Sequence, residues 1–329
     1  MLRIQRILHP TDFSACARAA FEHAVYLARK HGSELHVLHV APTFGEDPIR
    51  GAFESSIDET AFFEALRAEA DREMRAFIEE RPHGGVAIKR VHSRGVSAKE
   101  VILEYAERED VDLIVMGTHG RRGVRRALLG SVAEAVVREA RCPVLTAHAP
   151  KEEDAPVVEG VRHILAPYDF SFHSREALRY AKELAALYEA HLDLLHVIHW
   201  TAYPDFYSLS TMSLETHERD LEAEARREME AAYELAPGPN GAVSFHAVTG
   251  YPAYEILAFA ERRPSDMIVM ATHGQTGLRH FLAGSVTEKV VRSAPCPVFT
   301  VRSFGKSLLY RPVSAEEGRQ AREPSKLHT

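Results

Sequence analysis

The chain has 329 residues, of which 45% are hydrophobic and 26% charged, a composition typical of soluble globular proteins. Its formal net charge of −7 argues against general binding to nucleic acid or to an anionic membrane. The three cysteines lie far apart and form no Cys-x-x-Cys pair, so we expect no disulfide framework and a reducing, cytoplasmic location. The first residues are not typical of a secretory signal, and no stretch approaches the roughly 18 apolar residues of a membrane span.

The two halves of the chain repeat one another. Residues 113–131 read LIVMGTHGRRGVRRALLGS, and residues 267–285 read MIVMATHGQTGLRHFLAGS. HPTDFS at 9–14 likewise matches APYDFS at 166–171. A repeat of this length predicts a duplicated domain and not a solenoid. We therefore predict one domain at 1–148 and a second at 161–303, with a linker at 149–160 and a flexible tail at 304–329.

Short β-rich runs alternate with helical patterns along each half. The first half predicts strands at 4–9, 34–40, 86–92, 112–117 and 143–147, and helices at 14–31, 57–81, 97–108 and 131–140. The second half predicts strands near 162–166, 192–198, 243–248, 266–271 and 297–302. This alternation predicts an α/β fold, in which a parallel sheet has helices on both faces. The unbroken apolar runs LIVM and MIVM are typical of central strands.

The segment that follows each of these central strands, from Thr-His-Gly to Gly-Ser, is here called the glycine arm. Open parallel sheets bind ligands at their carboxyl edge, and glycine lets the backbone approach a ligand closely. Gly130 and Ser131 stand where a helix begins, and such an end favours an anion by roughly 0.3–2 kcal/mol. The Ser131 hydroxyl suits either a bond to phosphate or a helix cap. The first arm also carries four arginines, which suit a triphosphate: Arg121, Arg122, Arg125 and Arg126.

Each motif taken singly is weak evidence, because a Gly-Ser pair before a helix is often only a cap. The same spacing after a buried strand, present twice, favours a phosphate site. Two other nucleotide signatures are absent from the sequence. No GxxxxGK[ST] loop is present, and no GxGxxG follows the first strand.

Both halves resemble the universal stress protein family. Its ATP-binding type carries Gly-x2-Gly-x9-Gly-[Ser/Thr], and this pattern is intact from Gly117 to Ser131. The resemblance implies two tandem Rossmann-like domains of the adenine-nucleotide alpha-hydrolase type, each with a five-stranded parallel sheet. It implies ATP with Mg²⁺ as the ligand and a stress-response sensor or regulator as the function. The nucleotide-binding residues that it implies are Pro10, Thr11, Asp12, Val40, Gly117, His119, Gly120, Arg121, Arg122, Gly130, Ser131 and Val132 in the first half, and Asp169, Val197, Gly274, Gly284, Ser285 and Val286 in the second.

The second half departs from the pattern at Ala271, where the family has glycine. Its arm is also less basic, with Gln275, Thr276, Arg279 and His280. We expect the first site to bind nucleotide, and the sequence leaves the second open. The resemblance also implies that the final strands, CPVLTAH and CPVFTVR, pair the two domains within one chain.

No dedicated catalytic constellation is present. The sequence contains no HExxH, no Cys/His ligand spacing and no GxSxG, so we predict no catalytic residue and no protein metal site. His119 and His273 lie inside the arms, where an ordering role is favoured over a contact with phosphate. Two rival interpretations remain, a nucleotide-independent interaction module and a slow ATPase. Association of two chains into a homodimer is also left open.

Overall fold

A computed structural model of the chain describes residues 2–42, 59–80, 82–120, 129–149, 160–199, 211–274, 284–303 and 306–309. The first half consists of β1 (Arg6–Thr11), α1 (Ala15–His31), β2 (Glu34–Pro42), α2 (Glu59–Glu79), β3 (Ile88–Gly95), α3 (Ala98–Arg108), β4 (Leu113–Gly117), α4 (Ser131–Glu139) and β5 (Val144–Ala147). The second half consists of β6 (His163–Pro167), α5 (Phe172–Tyr188), β7 (His191–His199), α6 (Thr211–Leu235), β8 (Val243–Gly250), α7 (Pro252–Arg262), β9 (Met267–Ala271), α8 (Ser285–Ser293) and β10 (Val298–Val301). The α/β fold predicted from the alternation is therefore confirmed.

Several predicted strand bounds differ from the observed ones by one to three residues, and the differences in β1 and β3 bear on the site. β1 begins at Arg6 instead of residue 4, because its pairing with β2 starts there and runs to Thr11. β3 continues to Gly95, since it pairs with β2 as far as Pro42. Asp12 consequently stands directly after the strand end.

The strands of both halves form one continuous sheet in the order β3-β2-β1-β4-β5-β10-β9-β6-β7-β8. β5 and β10 meet in the middle and run antiparallel, with Val298 opposite Thr146 and Thr300 opposite Val144. The predicted pairing of the two final strands is confirmed. Because this pairing is antiparallel, the carboxyl edges of the two half-sheets lie on opposite sides of the molecule. Open parallel sheets have a crevice at this edge, so each half is expected to have one, and the two crevices face apart.

Helices cover both faces of the sheet. The side chains of β4 alternate, so Val115 packs with one core and Ile114 with the other. The first core contains Phe21 of α1 and Leu184 of α5, and the second contains residues of α3, α4, α7 and α8: Ile102, Val136, Phe259 and Val290. Burial on both faces explains why the central strands read as continuous apolar runs.

The two halves also touch outside the sheet. The rings of Tyr26 in α1 and Tyr188 in α5 stack at 5.3 Å. Residues 306–309 return to the first half, where Leu309 bridges to Leu2 and the Lys306 ammonium lies 2.8 Å from Asp112. This segment falls within the stretch predicted as a flexible tail, yet Leu308 and Leu309 are buried. Residues 150–159 of the predicted linker and the tail from residue 310 lie outside the described residues.

Candidate functional site

Asp12 and Gly120 come from opposite ends of the first domain sequence and meet at the carboxyl edge of its sheet. A Cβ atom placed on Gly120 would lie 2.5 Å from Oδ2 of Asp12. The second half repeats the contact, since a Cβ on Gly274 would lie 2.6 Å from Oδ2 of Asp169. In both halves the carboxylate therefore fills the space that the missing side chain leaves. The fold brings the Pro-Thr-Asp segment and the glycine arm into one place.

The backbone just after Asp12 is held in an unusual conformation. Phe13 has a φ of 63° and Phe170 a φ of 62°, in the left-handed region that non-glycine residues rarely occupy. The Ser14 amide donates to Asp12 Oδ1 at 3.1 Å, and the Ser171 amide donates to Asp169 Oδ1 at the same distance. The turn thus fixes the carboxylate in each half. Strain of this kind concentrates at functional sites.

Sequence reasoning missed Phe13 and Phe170. The available signal was the tripeptide Asp-Phe-Ser, which occurs in both halves at equivalent positions. The Phe13 side chain is buried and packs on Phe77 of α2 at 5.6 Å and on His39 at 4.7 Å. These contacts supply packing that offsets the strain of about 1–3 kcal/mol expected for such a residue.

Gly117 lies against the backbone of α1, which leaves no room for a side chain. A Cβ there would lie 2.7 Å from the carbonyl carbon of Cys16 and 2.9 Å from the nitrogen of Ala17. The first turn of α1 therefore crosses directly over this strand end. The missing side chain accommodates this helix, and the contact of Gly117 with a ligand stays a prediction. Ala271 stands at the equivalent position in the second half, where it is buried.

Thr118 anchors the beginning of the first arm. Its amide donates to Ala147 O at 2.9 Å, its hydroxyl to the same oxygen at 3.3 Å, and its own carbonyl accepts from the Gly130 amide at 2.8 Å. Thr272 makes the equivalent bonds to Val301 and from Gly284. Both ends of each arm are thereby tied together. The Gly130 amide is engaged in this bond, and the place of Gly130 in a nucleotide site stays a prediction.

His119 contacts the first residue of the glycine arm, in agreement with the ordering role that the sequence favours. Its Nδ1 lies 3.0 Å from the Thr118 hydroxyl, and its Nε2 is buried without a hydrogen-bond partner among the described residues. Burial lowers the pKa of His119, so the ring is neutral near pH 7. His273 pairs with the Thr272 hydroxyl at 2.9 Å in the same way.

The helices α4 and α8 begin without a side-chain cap. Gly130 and Gly284 are the N-cap residues, and neither makes a side-chain cap bond. Ser131 is the first helical residue and lies exposed, so it is not the cap. By helix geometry the amides of Ser131, Val132 and Ala133 have no partner within α4. This end therefore offers backbone donors and a positive dipole to an anion.

The remaining predicted residues and their neighbours fall into three groups. Four partly buried valines pack against the second core: Val40, Val132, Val197 and Val286. Pro10 and Thr11 are buried in β1, and the Thr11 hydroxyl accepts from the Phe13 amide at 3.0 Å. Several basic and polar residues of the arms lie outside the described part of the chain: Arg121, Arg122, Arg125, Arg126, Gln275, Thr276, Arg279 and His280.

Other chemistries find little support in the described part of the chain. Among these residues, no three His, Cys, Asp or Glu side chains are grouped so that they could hold a metal ion. Burial raises the pKa of the Cys142 and Cys296 thiols to about 12, so neither is a reactive thiolate near neutral pH. Within the described ranges, none of the helices combines the length and apolar character needed to cross a bilayer.

Two tandem Rossmann-like halves, each with an Asp–Gly contact beside an uncapped helix, define a class of α/β protein with paired crevices. The chain belongs to the universal stress protein family, whose sequence profile matches residues 3–148 and 160–302. A universal stress protein from Methanocaldococcus jannaschii is 37% identical over 152 residues, which cover 45% of this chain and 85% of that protein. One from Mycolicibacterium smegmatis is 26% identical over 300 residues, covering 90% of this chain and 96% of that protein.

The fold agrees with that of a solved tandem structure. The crystal structure of a universal stress protein from Archaeoglobus fulgidus superposes with a TM-score of 0.56 and 24% identity. The match covers 90% of this chain and 98% of that one. The predicted family and its Rossmann-like fold are therefore both confirmed.

Proposed function

We propose that the first half of the chain binds ATP at the carboxyl edge of its sheet, and that the protein acts as a nucleotide-dependent regulator of a stress response in the cytoplasm. The observation that carries the proposal is the contact between Asp12 and Gly120. This contact joins the segment expected to hold a nucleoside to the arm expected to hold phosphates. The three free cysteines agree with a reducing compartment.

The order of strand ends along the edge suits an extended nucleotide. β2, β1 and β4 are neighbours, so Val40, Asp12 and the start of the glycine arm follow one another along the crevice. In this arrangement the Val40 backbone and the Asp12 carboxylate face the nucleoside. The phosphates then reach the amides at the start of α4.

The residues present also fit magnesium carried by the nucleotide. Mg²⁺ is usually bound by phosphate oxygens together with one or two protein oxygens and water. The exposed Ser131 hydroxyl at the start of α4 is a suitable protein oxygen. The ion would neutralise charge on the phosphates, and the chain itself would supply the backbone donors.

Helix capping favours a ligand site over a purely structural loop. α1 and α5 are capped by Ser14 and Ser171, each of which accepts from a backbone amide of its helix. α4 and α8 carry glycine at the same position and make no such bond. The first amides of α4 and α8 are therefore available to a ligand, as are those of α3 and α7, whose N-cap residues Ser97 and Tyr251 make no side-chain cap bond either.

The test is whether the purified chain holds or takes up nucleotide. The protein is denatured, released nucleotide is identified by chromatography, and the stripped chain is titrated with Mg-ATP by calorimetry. We expect binding at the first site, and Asp12→Ala should abolish it. Asp169→Ala, the matched change in the second half, should leave the first site intact. Absence of released nucleotide together with no heat below millimolar ATP would sink the proposal.

A further inference from the structure

Arg18, in the first turn of α1, spans the strained turn that carries Asp12. Its Nη1 donates to the Phe13 carbonyl at 2.8 Å. Its Nε donates to Oε2 of Glu80, just past the end of α2, at 3.1 Å. The guanidinium also lies 5.9 Å from the centre of the Phe77 ring in α2. One side chain of α1 therefore joins the turn to the end of α2.

Three hydrogen bonds fix the backbone of this turn, and Arg18 makes one of them. The Phe13 amide donates to the Thr11 hydroxyl oxygen, and the Ser14 amide donates to Asp12 Oδ1. Of the three bonds, only that of Arg18 comes from outside the turn itself. A left-handed residue such as Phe13 persists only where its surroundings hold it in place. Without Arg18, the peptide that links Phe13 to Ser14 is free to rotate, and the Ser14 amide then leaves the carboxylate.

The contacts of Arg18 favour a holding role over a direct bond to phosphate. Its charge is balanced by Glu80, and two of its three guanidinium nitrogens are engaged. The ion pair is partly exposed, with 38% of the Arg18 side chain accessible, so by itself it contributes little. The bond to the Phe13 carbonyl is therefore the contact that matters for the turn.

The second half holds its turn more loosely. Arg175 is equivalent to Arg18, and its Nη2 donates to the Phe170 carbonyl at 3.3 Å. Its Nε donates to the Ser171 carbonyl at 3.4 Å, whereas the Nε of Arg18 binds a carboxylate. Arg175 is exposed and Arg18 is half-buried. The clamp is thus better developed in the first half.

We propose that Arg18 is a positioning residue for the first crevice, where it holds Asp12 in the orientation that receives the nucleoside. This inference rests on the proposed function, in which the Asp12 carboxylate faces the nucleoside. A group that is already ordered costs less conformational entropy when the ligand binds. Arg18 therefore raises the affinity for the nucleotide without touching it.

The test compares Arg18→Met with Arg18→Lys and Arg175→Met, all in an Asp169→Ala background so that the first site is the one measured. Calorimetric titration with adenosine and with Mg-ATP gives the affinities, and circular dichroism checks that each chain is folded. Arg18→Met should weaken both ligands equally, by about ten-fold, as expected for the loss of one charge-assisted hydrogen bond. Arg18→Lys keeps the charge but cannot serve both partners as a planar fork does, so it should lose less affinity. Arg175→Met should keep the parent affinity.

A second measurement needs no nucleotide. Hydrogen exchange of the Ser14 amide, followed by NMR in the ligand-free chain, reports whether this amide stays bound to Asp12 Oδ1. Arg18→Met should accelerate the exchange by about ten-fold, while the amides of β4 keep their rates. An unchanged rate at Ser14 would overturn the inference.

The titrations separate this inference from the proposed function. If Arg18→Met weakens ATP but not adenosine, Arg18 contacts phosphate and the positioning role is overturned. If the parent chain and Arg18→Met bind both ligands equally well, the inference fails and the proposed function stands. If the parent chain takes up neither ligand, the proposed function fails and the inference falls with it.

Discussion

His148 and Arg302 occupy equivalent positions after the last strand of each half, and each binds a helix of the other half. His148 Nε2 lies 3.2 Å from the carbonyl of Arg292, in the last turn of α8. Arg302 Nη1 donates to the carbonyl of Ala140, at the end of α4, at 3.1 Å. α4 and α8 each begin at a crevice, and the C-terminal end of each helix is thus bound by a side chain from the opposite half. This arrangement follows from the antiparallel pairing of β5 and β10.

Removal of the Arg302 contact should destabilise the chain. Arg302→Met leaves the Ala140 carbonyl without its charged donor and removes a positive charge from the negative end of α4. We expect a loss of about 1–3 kcal/mol in the free energy of unfolding. Urea denaturation followed by circular dichroism measures this loss. Arg302→Lys, which keeps the charge, should lose less stability. An equal loss for both variants would contradict a stabilising role for the charged donor at the Ala140 carbonyl.

Gly117 and Ala271 form a matched pair for testing why the first motif residue is a glycine. Gly117→Ala drives a methyl group into the backbone of Cys16 and Ala17, neither of which can move without shifting α1. We expect a loss of roughly 1–3 kcal/mol in stability, as for other overpacked sites. Ala271→Gly, which brings the second half to the family pattern, should cost only about 1 kcal/mol. Unchanged stability of Gly117→Ala would refute the packing explanation.

His9 should make stability depend on pH. Its ring is fully buried, stacks on Phe77 at 5.8 Å, and directs Nδ1 at the Val115 carbonyl at 2.8 Å. Burial lowers its pKa to about 4. Because this value lies below that of the unfolded chain, the unfolded chain takes up a proton first as pH falls. Stability should therefore decline between about pH 6.5 and pH 4.

The His9 contribution is measured as a difference between two pH values. At pH 5 the lowered pKa of His9 reduces the free energy of unfolding by about 2 kcal/mol relative to its value at neutral pH. His9→Met should reduce the change in unfolding free energy between pH 7 and pH 5 by that amount, whatever its effect at pH 7. His23, whose pKa burial also lowers to about 4, provides a second variant of the same kind. His9 is the stronger test, since its side chain is fully buried whereas that of His23 is partly exposed, and an unaltered pH dependence in His9→Met would contradict the prediction.

The sequence was sufficient for the features that depend on local pattern. The runs LIVM and MIVM predicted β4 and β9, and the helix predicted at 14–31 is α1, with Ser14 as its N-cap residue. These features follow from periodicity and capping, which act over a few residues. The family resemblance pointed to Asp12 and Asp169, but their contacts with Gly120 and Gly274 were not predicted.

Features that depend on how distant segments cross were not predictable in this way. The role of Gly117 depends on the path of α1 over β4, which no spacing encodes. Lys182 reads as a surface residue of α5, yet it is buried because its ammonium donates to the carbonyls of Tyr233 and Ala236 at 2.9 and 2.7 Å. The contacts of His148 and Arg302 exist only once the two halves are paired.

The central claim is that the first crevice binds ATP through the segment where Asp12 meets Gly120. Gly120→Ala places a methyl group 2.5 Å from Asp12 Oδ2, so the carboxylate must shift, whereas no backbone atom is found within 4 Å of that methyl group in the described part of the chain. The most direct measurement is Mg-ATP titration of this variant by calorimetry, with its unfolding free energy determined alongside and with Gly274→Ala as the matched control. The account predicts that Gly120→Ala loses at least ten-fold in affinity at the first site with little change in stability, while Gly274→Ala keeps first-site binding. Undiminished ATP affinity in Gly120→Ala would contradict it.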